Sequence, residues 1–539
     1  MRIVYFKNGK KHIASQSNAD ITISEIREGN HTTIKVLAGE EITLAKASVD
    51  YPCFINYKDL YFLNGYQSWT DTKEYKLAKQ LRDVRKCPHI ITSLYSLKSY
   101  GDSHFYNYSI RKSHGHDVFY SKGQHECFIY NLNYKNAYLI IELIKDRSSI
   151  RLISDIEGMK VKKGEEAIIF DYCYYDNFEK GLEEFWEAFP IRNVKKLLGY
   201  TSWYNYYQNI NEEIINRDLD ALDSRFDVFQ IDDGYETFVG DWMDVDPKKF
   251  PNGLKPIVDK IHSKGFKAGL WLAPFAAETK SKLFKEHPDW IRKDKKGNFV
   301  KAGCNWSGFY ALDLEKPEVI DYITKFLTHY MDMGFDFFKL DFLYSAGLNL
   351  YEGKTRCQIQ HQAYKLLRDI LKNKIILGCG ANIINSFENF DYLRIGPDVS
   401  LEFDDVFYMK LLHRERISTK VTVQNTIYRS FMNNHLFGND PDVFLLRDDN
   451  IKLSKEQRHS LTILNALFGS LLFTSDNIAT YDEEKKKMFD EALKIFYNAH
   501  NRRYITKGNK IDITFELYGK PQHLVYDINK GVFIDGQNN

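Results

Sequence analysis

Two stretches decide the fold: DVFQIDD (227–233) and LKPIVDKIHSKGFKAGLWLAPF (254–275). The first is an apolar run that ends on two carboxylates. The second holds an amphipathic segment with Ile257, Val258 and Ile261 on one stripe, then a Lys-Gly stop at 264–265, then another apolar run. A strand, a helix and a second strand, with both strands nearly all apolar, require a parallel sheet covered by helices. The alternation continues in both directions. LLGYTSWY (197–204) leads to EEIINRDLDAL, and KPEVIDYITKFLTHYMDMG leads to FDFFKLDF (335–342). TRCQIQHQAYKLLRDILK is followed by KIILGCG (374–380) and YLRIGPD (392–398). Pro317 near a first turn and Gly334 just past an end predict a helix over 317–333, with Val319, Ile320, Ile323, Phe326, Leu327 and Tyr330 as its apolar stripe. Six strands are clear, and FGNDPDVFLL (437–446) and SLLFTSD (470–476) supply two more. Eight strands close a (β/α)8 TIM barrel of about the usual ~250 residues. An open doubly wound sheet is the alternative. No GxGxxG or Walker loop follows the first strand, so its nucleotide-binding form has no support.

Outside this region the pattern changes. Before it, TTIKVLA, CFIYNLN, AYLIIELI and EEAIIFDYCYY are β-rich runs separated by NG and KG turns, predicting a large β-sandwich that ends near Pro190. After it, a last helix precedes IDITFELYG, HLVYDIN and GVFIDG, a small β cap. The expected division is 1–190, 191–480 and 481–539.

Composition narrows the function classes. In 539 residues, 74 Lys plus Arg balance 73 Asp plus Glu, which argues against a nucleic-acid binder. A hydrophobic content of 43% excludes wholesale disorder. The N-terminus has no apolar h-region and the chain no charge-free apolar run of membrane-spanning length, so a cytoplasmic location with no membrane partner is expected. Seven scattered cysteines without a CxxC pair read as reduced thiols. There is no HExxH and the 16 histidines show no ligand spacing, so no metal or other cofactor is expected. Aromatics reach 15%, which fits either the codon bias of a low-GC genome or rings that cover sugar faces.

Several strands end on functional side chains. FQI ends at Asp232-Asp233, FFKL at Asp341, and LRIGP at Asp398. The C-terminal strand ends of a barrel form one rim, so these residues converge there. A single carboxylate at such a place is often a helix N-cap. Four on three strand ends point to a functional cluster, because crowded like charges cost energy without a compensating cation or ligand. Such a set suits nucleophilic plus acid/base chemistry on an acetal. Lys339 precedes Asp341 by two residues on the same strand face, which predicts an ammonium beside the carboxylate and an ionised nucleophile, or else a core salt bridge. Asp398 follows the Gly396-Pro397 bend and suits an acid/base with a raised pKa. Arg394 orients a substrate hydroxyl or makes a structural ion pair.

Nine segments in order resemble glycoside hydrolase family 36, the microbial α-galactosidase family: DDGY (232–235), GDW (240–242), DPKKFPNG (246–253), GLWLAP (269–274), FKLDF (338–342), LGCG (377–380), RIGPD (394–398), NDPDVFLLR (439–447) and FTSD (473–476). NGYQSW (64–69) resembles that family's N-terminal motif. The resemblance implies a β-supersandwich, a (β/α)8 barrel and a C-terminal β domain. It also implies a retaining exo-α-galactosidase acting on α-galactoside oligosaccharides without a cofactor, as a monomer or homo-oligomer. It makes Asp341 the nucleophile and Asp398 the acid/base. Asp232 and Asp233 would bind the C4 and C6 hydroxyls, Lys339 and Arg394 those at C3 and C2, with Cys379 on the C2 side. Trp203 and Trp271 would wall the pocket, and Trp69 would reach over from the N-terminal domain or a neighbouring subunit. Without the resemblance each of these tryptophans reads as core. Tyr235, Tyr66 and Asn382 depart from the commoner family residues; of these, Tyr235 and Asn382 bear on leaving-group and C2-substituent preference. Related alternatives are an α-N-acetylgalactosaminidase and a galactosyl-transferring enzyme. A non-catalytic sugar binder would be expected to lose one of the two catalytic carboxylates, and this chain keeps both.

Overall fold

The computed structural model describes residues 1–77, 81, 84, 87–404 and 413–534. Its centre is a ring of parallel strands: Leu197–Thr201, Val228–Ile231, Lys267–Leu272, Phe337–Leu340, Ile375–Gly378, Tyr392–Arg394, the segment 438–444, and Leu471–Thr474. The seventh strand is broken in two. Gly438–Asp440 pairs with Tyr392–Arg394, whereas Val443–Phe444 pairs with Leu471–Thr474. Pro441 has no N–H to give the ladder, and Asp442 between the halves takes a left-handed φ of 74°. Because one segment touches both sheet edges, the sheet closes into a barrel. The open-sheet alternative is thereby excluded.

Helices cover the ring at Glu212–Ala221, Lys255–Ser263, Pro317–Met333, Arg356–Leu371, Thr419–Tyr428, Lys455–Phe468 and Glu483–Asn498. A single turn, Ile384–Ser386, takes the helix position between the fifth and sixth strands. Pro317–Met333 has the bounds its sequence predicts, closed by Gly334 at φ 113°. Val319, Ile323, Phe326, Leu327 and Tyr330 are buried, and Ile320 lies at the stripe's half-buried edge. Each large side chain so buried stabilises the fold by about 1.5–3 kcal/mol.

Before the barrel stand two antiparallel seven-stranded sheets. Along the main path of one lie Lys10–Ala14, Arg2–Lys7, Ile42–Pro52, Ser149–Asp155, Tyr138–Ile144 and Lys112–His116. Its partner runs Ile21–Glu28, His31–Ala38, Glu166–Tyr175, Cys127–Asn131, Val118–Lys122, Leu60–Leu63 and Glu74–Tyr75. After the barrel, Ala499–Lys507, Lys510–Leu517, Lys520–Asp527 and Val532–Ile534 form a meander that buries Ile511, Ile513 and Phe515 on alternate positions. Among the described residues no helix is long and apolar enough to cross a membrane.

The loop between Leu60–Leu63 and Glu74–Tyr75 leaves the second sheet and lies on the barrel rim. Arg429, wholly buried just past the helix Thr419–Tyr428, fastens it there. Its guanidinium donates to the Ser68 carbonyl (2.8 Å), the Ile395 carbonyl (2.7 Å) and Asn64 Oδ1 (3.0 Å). Asn425 adds bonds to the Thr70 and Ile395 carbonyls, each 3.0 Å, and accepts the Thr72 N–H at 2.8 Å. Burial among such neutral acceptors pulls the Arg429 guanidinium down to about 9. Removing it strands several buried oxygens. Arg429→Met is therefore expected to lower unfolding stability by about 2–4 kcal/mol in a urea titration. A change within ~0.5 kcal/mol, the range of ordinary surface substitutions, would contradict this fastening role.

Candidate active site

The strand ends bring the carboxylates to one rim, where two buried cations divide them. Lys339 and Asp341 share a strand face, but the closest acid to the ammonium is Asp232: Lys339 Nζ donates to Asp232 Oδ2 at 2.8 Å, with both groups buried. The ammonium also acts on Asp341, lowering its pKa by its charge. Gln230 Nε2 (2.7 Å) and Thr201 Oγ1 (3.1 Å) also donate to Asp232 Oδ2. Burial opposes the charge on Lys339, yet Asp232 and Asp341 together hold it above the ordinary lysine range against repulsion from Arg394.

Arg394 is the second cation. Its Nε donates to Asp440 at 2.9 Å, its Nη1 to Asp398 at 3.0 Å, and its Nη2 lies 2.7 Å from Asp442. Tyr204 OH stands 3.4 Å from Nη1. Asp398 differs from its neighbours in keeping 32% of its side chain exposed, so it alone in this group meets solvent.

Asp341 stands one residue beyond its strand and is 8% exposed. It accepts the Trp271 indole N–H at 3.1 Å and the Phe342 N–H at 2.7 Å. Burial raises its pKa. Lys339 and the two N–H donors work against that, and the charge of Asp398 adds to it. The two carboxylates therefore share one electrostatic site. Trp271, expected as a pocket wall, is itself 2% exposed and acts as a donor to Asp341.

Asp233 faces a separate set of groups. It accepts the Trp306 indole N–H (2.8 Å) and the Gln208 amide (3.1 Å). Burial raises its pKa, and burial with the Asp233 charge raises that of Glu236 well above the ordinary glutamate range. Trp69 reaches the rim from the N-terminal sheet of the same chain. Its indole N–H lies 3.4 Å from Cys379 Sγ, and its ring packs on Phe342 and Tyr344. Gly380 is required beneath it: a Cβ there would sit 3.1 Å from two Trp69 ring carbons, and φ is 62°. Trp203 lies in the turn after the first barrel strand, half-buried, its ring edge-to-face with Tyr207 at 5.2 Å.

Tyr235 and Asn382 do not line the rim. Tyr235 is fully buried behind it, donating to the Trp271 carbonyl at 3.2 Å. Asn382 Nδ2 donates to the Tyr66 carbonyl at 2.7 Å, and Tyr66 packs among His116, Phe105 and Tyr138. Sequence reading missed Trp306, Tyr204, Glu236, Asp440 and Asp442 as individual site residues. Asp440 and Asp442 stand inside the quoted NDPDVFLLR segment and so were within reach. Trp306 belongs to an insertion after the third strand that carries no periodic signal.

Among the described residues one set has metal-ligand composition: Asp102, His114 and His116 in the N-terminal domain. Both imidazole Nε2 atoms lie 2.7 Å from Asp102 Oδ2, and Tyr108 OH donates to the other oxygen at 2.5 Å. Three partners already satisfy this carboxylate, so the set reads as a hydrogen-bonded knot. His114 and His116 are two apart on one strand, a spacing that sequence reading did not single out.

Residues 193–372 match the Melibiase family model. An α-galactosidase from Escherichia coli is 32% identical over 198 residues, which make up 34% of this chain and 27% of that enzyme. Such matched stretches span about a quarter of the length of the curated relatives. TtGalA, an α-galactosidase from Thermus thermophilus solved with p-nitrophenyl α-D-galactopyranoside, superposes with a TM-score of 0.71 at 24% identity, covering 97% of this chain and 98% of that one. The GH36 α-galactosidase AgaA from Geobacillus stearothermophilus superposes at 0.62 with 15% identity, covering 94% and 72%.

Lys339 is needed to offset Asp232. Lys339→Met leaves an unpaired buried carboxylate and is expected to cost about 3–5 kcal/mol in urea unfolding. A Lys339→Met, Asp232→Leu double variant should recover most of that loss. Additive losses would show that the pair is not the unit. In sequence over the first part of the barrel, and in fold over nearly its whole length, the chain resembles glycoside hydrolase family 36.

Proposed function

We propose that the chain is a retaining exo-α-galactosidase that hydrolyses terminal non-reducing α-D-galactosyl residues, as in melibiose or raffinose. The observation that carries this reading is the pair Asp341 and Asp398. One is buried and fed by N–H donors, the other is open to water, and the charge of the second acts on the first.

In the first step an Asp341 oxygen attacks the anomeric carbon while Asp398 gives its proton to the departing glycosidic oxygen. A β-galactosyl ester on Asp341 results. Asp398, now a carboxylate, takes a proton from water, whose oxygen displaces Asp341 and returns the α-anomer. The indole N–H of Trp271 and the backbone N–H of Phe342 hold the attacking carboxylate in place. All these steps use side chains and backbone of this one chain.

Asp232 and Asp233 present acceptor oxygens for the C4 and C6 hydroxyls, with Lys339 and Arg394 as donors toward C3 and C2. Acceptors left unpaired by the C4 epimer would be penalised, which selects galactose. Trp203 offers an apolar ring to a sugar face. Beside Cys379 and Gly380 the Trp69 ring closes the C2 side, which favours a hydroxyl over an acetamido group.

Proton NMR of the first-formed sugar is expected to show α-galactose, and an initial β-anomer would contradict double displacement. Asp341→Ala should lose turnover by at least ~10⁴-fold. Azide should rescue Asp341→Gly as β-galactosyl azide. A nitrophenyl α-N-acetylgalactosaminide hydrolysed faster than the galactoside would instead favour the N-acetyl substrate. A further expectation concerns pH. Asp341 must be ionised to attack, and its folded-state pKa is raised, so kcat/KM falls as pH drops through a value above the ordinary aspartate range. An acid limb below ~3.9 would be inconsistent with the burial of Asp341.

A further inference from the structure

The break in the seventh barrel strand places Asp442 against the loop that carries Asp398. Asp442 Oδ2 accepts the Val399 N–H at 2.7 Å, so it holds the residue immediately after Asp398. Its Oδ1 lies 2.7 Å from Arg394 Nη2, the guanidinium whose Nη1 donates to Asp398. Asp442 is wholly buried and takes φ 74°, a conformation an ordinary strand residue avoids and Asp or Asn tolerates. One side chain thus grips both the backbone beside Asp398 and the cation that neutralises it.

We propose that Asp442 is a positioning residue for the reaction, fixing the Asp398 loop and holding in place the Arg394 guanidinium that contacts Asp398. This rests on the reading of Asp398 as acid/base.

The groups that bear on Asp398 come from five elements. Arg394 is on its own strand and loop, Asp440 and Asp442 come from the seventh strand, and Tyr204 and Tyr207 from the turn after the first. Asp341 follows the fourth strand and Cys379 the fifth. Arg394 is the cation in direct contact, and it is shared among Asp398, Asp440 and Asp442. With Asp442 charged, the guanidinium is spread over three carboxylates. With Asp442 neutral, only Asp398 and Asp440 hold the guanidinium, which is then free to shift and take the Asp398 carboxyl with it. Burial, with Asp398 and Asp440 against the opposing pull of Arg394, pushes Asp442 itself up to about 7.

Asp442→Asn is the direct test, because Asn keeps an acceptor for the Val399 N–H and tolerates the backbone. kcat/KM for raffinose, whose leaving group needs the Asp398 proton, should fall by about tenfold. 2,4-Dinitrophenyl α-galactoside, whose leaving group needs no proton, should lose less than about twofold. Unchanged turnover of raffinose by folded Asp442→Asn, or equal losses on both substrates, would overturn the proposal. Should the variant not fold, a crystal structure of the wild type decides: the Asp442 carboxylate is expected on both the Val399 N–H and the Arg394 guanidinium, and a carboxylate turned away from both would overturn the proposal. Wild-type protein that releases no galactose would refute the functional reading itself, which these outcomes do not.

Discussion

Crowded carboxylates in a barrel rim are stable only if buried cations divide them. Here Asp232, Asp341, Asp398, Asp440 and Asp442 meet around two such cations, Lys339 and Arg394. In a low-dielectric interior each unpaired carboxylate would cost several kcal/mol or take up a proton. Lys339 settles on Asp232, and Arg394 is spread over Asp398, Asp440 and Asp442. Asp341 feels the charges of Lys339 and Asp398 and takes N–H donors from Trp271 and Phe342. Every other feature of the site follows from this division: Asp341 stays buried, and Asp398 stays partly open to solvent.

The β-sandwich takes part in the site as well as in the fold. Its 64–72 loop is held on the barrel by Arg429 and Asn425, and it carries Trp69 to within reach of Cys379. The barrel answers with Gly380, whose missing side chain leaves room for the indole. Ser68 N–H bonds the Ala381 carbonyl at 2.9 Å, so the same loop also fixes the residues after the fifth strand. Loss of this joint would open the side of the site that Trp69 closes.

Much of this was legible in the sequence. The β/α alternation gave the barrel, because a fully apolar strand followed by an amphipathic helix has few other ways to bury itself. The helix Pro317–Met333 was readable to its bounds from Pro317 and Gly334. The convergence of Asp232, Asp233, Asp341 and Asp398 followed from barrel geometry alone. What could not be read was which charge meets which. Lys339 and Asp341 share a face, yet the ammonium leans past the adjacent strand to the end of the second, two along the ring, where Asp232 accepts it at 2.8 Å. Trp271 read as a wall, but an indole that points inward on a barrel strand brings an N–H with it. Trp306 was invisible because its insertion has neither period, and the break at Pro441-Asp442 looked like ordinary strand.

The account is tested most directly by a crystal structure of the chain with galactose bound. It predicts one sugar on the rim, with its anomeric carbon between the carboxyls of Asp341 and Asp398 and those carboxyls about 5–5.5 Å apart. A separation of ~6.5–9.5 Å, which leaves space for a water between acid and sugar, would contradict the double displacement. A sugar seated away from Asp341 would contradict the site.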